Sequence, residues 1–511
     1  MESFSIENIK SFEKNTNIEL KPITILVGKN SCGKSSLLRF PVVMSQTFSS
    51  DTTSPLMFYG QLIDYGNYED VVYKNKKESI SFSIKQRMEI DDVQRTRHTG
   101  KETQQEFNKH DVEVKVSLNK YGKKVVIEKD EMIIDGLLCY GLYREAEGDY
   151  RINTYHFYNQ ETKEFCQEAY DIVVEETYNT DFFVTIDIEE VFDRILKKYF
   201  PQGIPELDKN VEGEDQLSYS ELLKMSPSLR RLIMKRNKIV FSETEQITEY
   251  QHIANTFEFY AELLAAFFHI CDVEMSLTSY IGPFRMNPQR IYRDEESQTR
   301  RVGVKGEKIS TVLIRDSQKK RELIDKISIW LHKTMGYKLI VNDVNNGFYQ
   351  ILLEDDNGTK SNIIDVGYGI SQILPVIAQV LVEPKLPEFE PDYNYDSLII
   401  VEQPELHLHP AAQSELAELF VGGVIDCNKK MLIETHSEHF IRKLQVLVSD
   451  PNCKLTNEDV AIYYIDKDES GSAFAKELKI LPNGKFAEKW PSGFFDKAHE
   501  LSMELLKNSV S

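Results

Sequence analysis

Apolar and polar positions alternate along residues 3–9 and 18–26, on either side of the polar turn Glu13-Lys14-Asn15-Thr16-Asn17. A period of two predicts a strand hairpin. The second run ends in an unbroken apolar stretch, Ile23-Thr24-Ile25-Leu26-Val27, then opens on Gly28-Lys29-Asn30-Ser31-Cys32-Gly33-Lys34-Ser35-Ser36 before a helical pattern begins at Leu37-Leu38. Strand character returns over 54–90, with Tyr65-Gly66-Asn67-Tyr68 as a turn, and over 113–118 and 124–127. Residues 95–110 hold few apolar side chains and read as a surface loop.

From about Asp187 the period lengthens. Ile188, Val191, Phe192, Ile195, Leu196 and Tyr199 recur at helical spacing, as do Leu222, Leu223, Leu229, Leu232 and Ile233, and a third helix is predicted over 247–269. Heptads are not sustained, so the pattern predicts a compact helical insertion over 140–275 rather than a long coiled coil. Beyond it come a predicted helix over 319–335, strands over 337–343 and 348–353 joined through Asn345-Asn346-Gly347, a buried strand over 397–401, and another over 431–434. The chain therefore divides into an N-terminal segment 1–139, the insertion 140–275 and a C-terminal segment 276–511.

The loop after the first apolar strand has the Gly-x4-Gly-Lys-Ser spacing of a phosphate-binding P-loop, between a strand and a helix as that loop requires. Glycines 28 and 33 let the backbone wrap a polyphosphate. Successive N–H groups from Lys29 to Ser36 and the helix N-terminus supply partial positive charge, and Lys34 adds a full one. Ser35 would hold Mg2+ through its hydroxyl. A plain glycine turn accounts for Gly28 and Gly33 but not for Lys-Ser at this offset, and Cys32 reads as a small filler.

Three later stretches extend the site. Ser397-Leu398-Ile399-Ile400-Val401-Glu402 is a buried strand ending in an acid, expected to lie beside the P-loop strand with Glu402 on Mg2+. Met431-Leu432-Ile433-Glu434-Thr435-His436-Ser437 is a second apolar strand, ending in a histidine, and His436 is expected to reach the γ-phosphate. Asp365-Val366-Gly367-Tyr368-Gly369-Ile370-Ser371 is glycine-rich and precedes an apolar helix, a weak phosphate-site signal by itself. Asp466-Lys467-Asp468 has the look of a metal pair, yet Glu469-Ser470-Gly471 follows, and a hairpin turn is the expectation.

Composition narrows the partners. A net charge of −21 on 511 residues argues against a protein that coats nucleic acid over its whole surface, since phosphate affinity follows cation density. Two local basic clusters remain, Arg230, Arg231, Lys235, Arg236, Lys238 and Arg293, Arg300, Arg301, Lys305, Lys308; each is more often a solvated face. The six cysteines have no metal-ligand spacing and suit a reducing compartment. With neither a signal core nor an apolar run long enough for a bilayer, the expectation is a cytoplasmic protein with no membrane partner.

Taken in order, the P-loop, the glycine signature, the acid-terminated strand with Pro404-Glu405-Leu406-His407-Leu408-His409-Pro410, and Thr435-His436-Ser437 resemble the ABC-type ATPases of the SMC, RecF and overcoming-lysogenization-defect branch. Gly282-Pro283-Phe284-Arg285, Val302-Gly303-Val304-Lys305-Gly306-Glu307, Glu402-Gln403-Pro404-Glu405 and Trp490-Pro491-Ser492-Gly493-Phe494-Phe495-Asp496 resemble, more narrowly, bacterial AAA-family ATPases with a DUF3696 region. The resemblance implies an α/β fold: an ABC-type P-loop ATPase head, with a mixed sheet, flanking helices, an antiparallel β subdomain and an inserted, mainly helical subdomain. It implies ATP and Mg2+ as cofactors and a head-to-tail homodimer or higher oligomer. In such an assembly Gly367, Gly369 and Ser371 act in trans, and Lys10, Ser11 and Phe12 lie near the base.

Two departures bear on rate. The family has consecutive acids where this chain has Glu402-Gln403, and an amide cannot take a proton from the attacking water. Gly367 stands where a serine is common. Slow hydrolysis is expected, with Gln403 orienting water and Glu405 as either a substitute base or a loop-positioning residue. About seventy residues follow His436, too few for the nuclease domain of some relatives. The resemblance to the ATPase subunits of Septu-type cassettes, also found beside some retrons, implies a separate HNH-type nuclease partner in antiphage defence, with DNA or a phage component as further ligands. The alternative is a DNA-repair or chromosome-maintenance ATPase that binds DNA itself.

Overall fold

A computed structural model describes the chain except residues 51, 53, 77, 91–108, 146–149, 160–163, 175–244, 297–298, 384–396, 428, 491–503 and 505–511. The polar run over 95–108, the helical patterns over 188–199 and 222–233, the basic cluster at 230–238 and the motif residues 491–496 lie outside the described residues.

The predicted hairpin is present: β1 (Ser3–Glu7) pairs antiparallel with β2 (Thr16–Glu19), with Phe4 opposite Ile18. The expected strand over 18–26 is in fact two. After Lys21-Pro22 a new strand, β3 (Ile23–Gly28), begins, because proline has no N–H to extend a ladder. All six residues of β3 are buried, as a strand covered on both faces must be. The P-loop follows, then helices Lys34–Leu38 and Phe40–Phe48.

Contacts divide the described chain into two compact units. One holds Met1–Asp51, Leu56–Glu78 and Cys271–Ser511; the other holds Thr52–Pro55 and Ser79–Ile270. The second unit contains an antiparallel meander of β4 (Ile80–Glu89), β5 (Lys109–Tyr121), β6 (Lys124–Ile134), β7 (Leu137–Arg144), β8 (Tyr150–Asn159) and β9 (Glu164–Val174), each paired with the next. The strand region thus reaches Val174, beyond residue 140 where a helical insertion was expected to begin. The alternation is visible in the burial of Tyr150, Ile152 and Thr154. A long helix, Glu245–Leu277, follows.

In the first unit, β10 (Ser279–Ile281) and β11 (Tyr292–Arg293) precede helices Ile309–Ser317 and Glu322–Met335. The hairpin of β12 (Lys338–Asn345) and β13 (Phe348–Glu354) turns at Asn346-Gly347 as the sequence predicts, and β14 (Lys360–Asn362) pairs with β13. Then come helix Tyr368–Leu381, β15 (Ser397–Glu402), helix Pro410–Cys427, β16 (Lys429–Glu434), helix Glu438–Ser449, β17 (Val460–Lys467) and β18 (Ala473–Glu477). The main sheet has the order β10-β15-β16-β3-β17-β18, parallel except for the β17–β18 hairpin.

That order corrects one expectation. The strand ending in Glu402 does not lie beside the P-loop strand; β16 is inserted between them. The sheet still brings the C-terminal ends of β15, β16, β3 and β17 to one edge, where ligands bind in open α/β sheets. Among the described residues no helix is long and apolar enough to cross a membrane.

One buried cation ties the sheet to a helix. The Lys429 ammonium donates to the carbonyls of Gln379 (3.2 Å), Val380 (2.6 Å) and Val382 (2.5 Å), at the C-terminal end of helix Tyr368–Leu381, where carbonyls lack intrahelical partners. Burial holds its pKa down to about 8. Lys429→Met is expected to cost about 2 kcal/mol, from carbonyls left without donors. Between roughly pH 8 and 10.5 the unfolded chain binds the extra proton, so the wild type gains stability as pH rises there and Lys429→Met does not. Denaturant titrations at about pH 7.5 and pH 9.5 read both effects.

Candidate functional site

The P-loop wraps tightly because its glycines permit it. Gly28 has φ +149°, and a Cβ there would sit 2.1 Å from the Ile465 carbonyl oxygen of β17. Gly33 has φ +111°, and a Cβ would meet the Phe12 ring at 3.1 Å and Ser11 at 3.2 Å. Ser11 and Phe12 therefore lie against the loop, while the Lys10 ammonium donates to the carbonyls of Tyr65 (2.7 Å) and Asp70 (3.0 Å). Lys34, 4% exposed, curls back to donate to the carbonyls of Gly28 (3.0 Å) and Lys29 (2.7 Å). Its ammonium is thus held at the mouth of the loop. Lys29 reaches across to Asp466 at 3.0 Å, and the Cys32 thiol, pushed up by burial, donates to the Lys29 carbonyl.

Two carboxylates end neighbouring strands in register, Glu402 on β15 opposite Glu434 on β16. They have different partners. Glu402, 2% exposed, is gripped by Arg39, whose Nε and Nη2 donate to its two oxygens at 2.5 and 2.9 Å, and by the Tyr280 hydroxyl at 2.6 Å. Burial works against the Arg39 charge, but Glu402 more than compensates and holds the guanidinium firmly protonated. Glu434 instead accepts the Ser35 hydroxyl at 2.8 Å. Burial raises the Glu434 pKa, and the nearby Glu402 charge adds to the rise, while the Ser35 hydrogen bond, Lys34 and Arg39 oppose it. Of the two residues expected on Mg2+, Ser35 thus bonds Glu434, and Glu402 bonds Arg39 and Tyr280.

The loop after β15 is pinned from both sides. Gln403, at φ +45°, donates its N–H to the Glu434 carbonyl at 2.8 Å, and its own carbonyl accepts from Arg285 Nη1 at 3.1 Å. Arg285 Nη2 also holds the Glu402 carbonyl at 2.7 Å; burial lowers its pKa to about 10. Glu405, 9% exposed, accepts the His436 N–H at 2.7 Å, which gives it a loop-positioning contact; burial raises its pKa. Burial and the Lys34 charge push the His436 imidazole down, so it is neutral at pH 7. Ser437 caps the next helix by accepting the Phe440 N–H.

At the glycine signature, Gly367 is the N-cap of helix Tyr368–Leu381 and has open space around its Cβ position. Gly369 does not, since a Cβ would lie 2.7 Å from the His407 carbonyl oxygen. The Ser371 hydroxyl, buried, donates to the Tyr368 carbonyl of its own helix at 2.8 Å. Asp466-Lys467-Asp468 closes the β17–β18 hairpin, with Asp468 N–H donating to the Ser472 carbonyl.

A family model described as "AAA ATPase domain" matches residues 1–441. The chain belongs to the AAA ATPase domain family. A second model, a protein of unknown function (DUF3696), matches residues 455–505 of this AAA ATPase. No curated protein matches it. Among solved structures it is similar to the SMC head domain from Thermotoga maritima (8% identity, 94% of this chain and 99% of that one, TM-score 0.36). It is also similar to the Pyrococcus furiosus Smc head with an extended coiled coil bound to the C-terminal domain of ScpA (12% identity, 100% and 99%, TM-score 0.37).

Membership implies ATP, ordinarily with Mg2+. The site's donor set fits that ion: a serine hydroxyl beside a carboxylate, all oxygen, at the mouth of a P-loop. Among the described residues no group of three or more His, Cys, Asp or Glu side chains could hold a metal by itself. A Mg2+ that keeps waters and takes substrate phosphates needs no such group. Sequence reasoning missed Glu434, Arg39, Tyr280 and Arg285. Glu434 had a signal, an acid ending an apolar strand like Glu402; Arg39 and Tyr280 had none, because their roles depend on which strand neighbours which.

Proposed function

We propose that this AAA ATPase is a slowly hydrolysing, ATP-controlled switch. It assembles with copies of itself and controls a separate effector nuclease, of HNH type, in bacterial antiviral defence. The observation that carries slow turnover is Gln403. It follows the acid-terminated strand where a proton-accepting side chain would serve, and its backbone is fixed by Glu434 and Arg285. The amide can orient the attacking water but cannot deprotonate it. Glu405 serves both roles: Oε1 accepts the His436 N–H and positions the loop, while Oε2, without a hydrogen-bond partner among the described residues, is left to accept a proton as a substitute base. His436, neutral and close enough to feel Lys34, is suited to contact a γ-phosphate. Gly367 and Gly369 are proposed to meet ATP bound by another copy; the effector and the defence setting rest on the motif resemblance.

Gln403→Glu is expected to raise steady-state ATP turnover at least tenfold, a fraction of the roughly 10²–10⁴-fold that a general base supplies. Fast wild-type turnover, left unchanged by Gln403→Ala, contradicts the assignment. The functional test is DNA cleavage by the purified chain, alone and with the nuclease encoded by a neighbouring gene, in ATP and in ADP. The chain alone is expected to leave DNA intact, and the pair's cleavage to depend on the nucleotide. Direct, steeply salt-dependent DNA binding by the chain alone favours instead a clamp that acts on DNA itself.

A further inference from the structure

The sheet presents two acids side by side at the nucleotide edge, and only one of them faces the P-loop. The Glu402 oxygens are taken by Arg39 and Tyr280. Drawing Glu402 toward a metal would break three hydrogen bonds and strand a partly buried guanidinium. Glu434, 3% exposed, has its Oε2 on the Ser35 hydroxyl. A serine hydroxyl carries one donor and two acceptor lone pairs. With its proton given to Glu434, the Ser35 oxygen is left to offer a lone pair to a cation at the mouth of the loop. Resting on the ATP-binding reading above, we propose that Glu434, on the inserted strand, is the carboxylate that completes the Mg2+ site. It orients Ser35 and accepts a hydrogen bond from a metal-bound water. Glu402 is the anchor that holds Arg39, Tyr280 and the β15 exit in place.

The placement follows from the strand order. With β16 between β15 and β3, the acid nearest the P-loop strand belongs to β16, where Glu434 is in register with Leu26, two residues before Gly28. Parallel strands in register end level, so a glutamate at this position meets the first turn of the helix that leaves the P-loop. Ser35 lies in that turn. Glu402 is one strand further away and meets Arg39, four residues, or about one helical turn, beyond Ser35.

The test separates metal from nucleotide. Fluorescent (mant) ATP is titrated into the full chain in EDTA and in Mg2+, and the ratio of the two affinities is the gain due to metal. Glu434→Gln is expected to reduce that gain by roughly 10- to 100-fold, as loss of an oriented metal-site carboxylate does. Metal-free affinity reports that the variant is folded at the site. Ser35→Ala should reduce the gain similarly, and the double variant should be no worse than either single one, because both act on one ion. Glu434→Asp keeps the charge with a shorter reach and should show a milder loss of the same ratio. Glu402→Gln is expected to lower the melting temperature while keeping the gain within about threefold of wild type. An undiminished gain in Glu434→Gln, or a gain lost only in Glu402→Gln, overturns the assignment. A wild-type chain that binds no mant-ATP in either condition overturns the ATP-binding reading and the assignment with it.

Discussion

Lys34→Ala is expected to weaken ATP binding by roughly 100-fold or more, a loss of about 3 kcal/mol, the worth of one or two charge-assisted hydrogen bonds to phosphate. The side chain is already buried and aimed at the loop mouth by the Gly28 and Lys29 carbonyls. The wild type therefore loses little side-chain entropy on meeting a phosphate. The Lys29 carbonyl belongs to an exposed residue, where water can replace the ammonium, so the melting temperature should move less than the affinity. Equilibrium titration beside a thermal melt measures both. A variant that binds ATP within about threefold of wild type would mean that backbone N–H groups alone carry the phosphate.

The second large effect concerns stability. Arg39→Met leaves Glu402 buried with Tyr280 as its one side-chain hydrogen-bond partner among the described residues, and breaking a buried pair in this way costs about 3–5 kcal/mol. The Arg39 side chain is 32% exposed, so the lower end, about 3 kcal/mol, is expected. Adding Glu402→Gln removes the stranded charge, so the double variant should be more stable than Arg39→Met alone. Denaturant unfolding of the three variants and the wild type gives the cycle. A cost below about 0.5 kcal/mol for Arg39→Met would show that solvent already relieves the pair.

The P-loop, the β1–β2 hairpin, the β12–β13 hairpin and the turn after Asp466 were legible in the sequence, because each depends on residues within a few positions of one another. Gly28 and Gly33 needed no partner to be read. The strand order was not legible, since a parallel sheet is ordered by its crossovers and not by the pattern inside any strand. That is why Glu402 was expected beside the P-loop and Glu434 was passed over, although both end apolar strands. The residues that grip Glu402 were hidden for the same reason: Arg39 is 363 positions away in sequence and Tyr280 is 122. The sequence hides the extent of the meander at β8 and β9 because the helical spacing of apolar residues over 188–199 draws the boundary forward. Tyr150, Ile152 and Thr154 carried the period of two that should have held it back.

The proposed switch holds ATP much longer than ATP takes to bind. The most direct measurement loads the chain with γ-labelled ATP and Mg2+, removes free nucleotide, and follows bound ATP, released phosphate and particle mass together. ATP is expected to stay intact in an assembly of at least twice the chain's mass. Phosphate should appear well below the ~1 s−1 floor of ordinary enzyme turnover, and mass should fall only as it does. Prompt phosphate release from a particle whose mass never changes would contradict it.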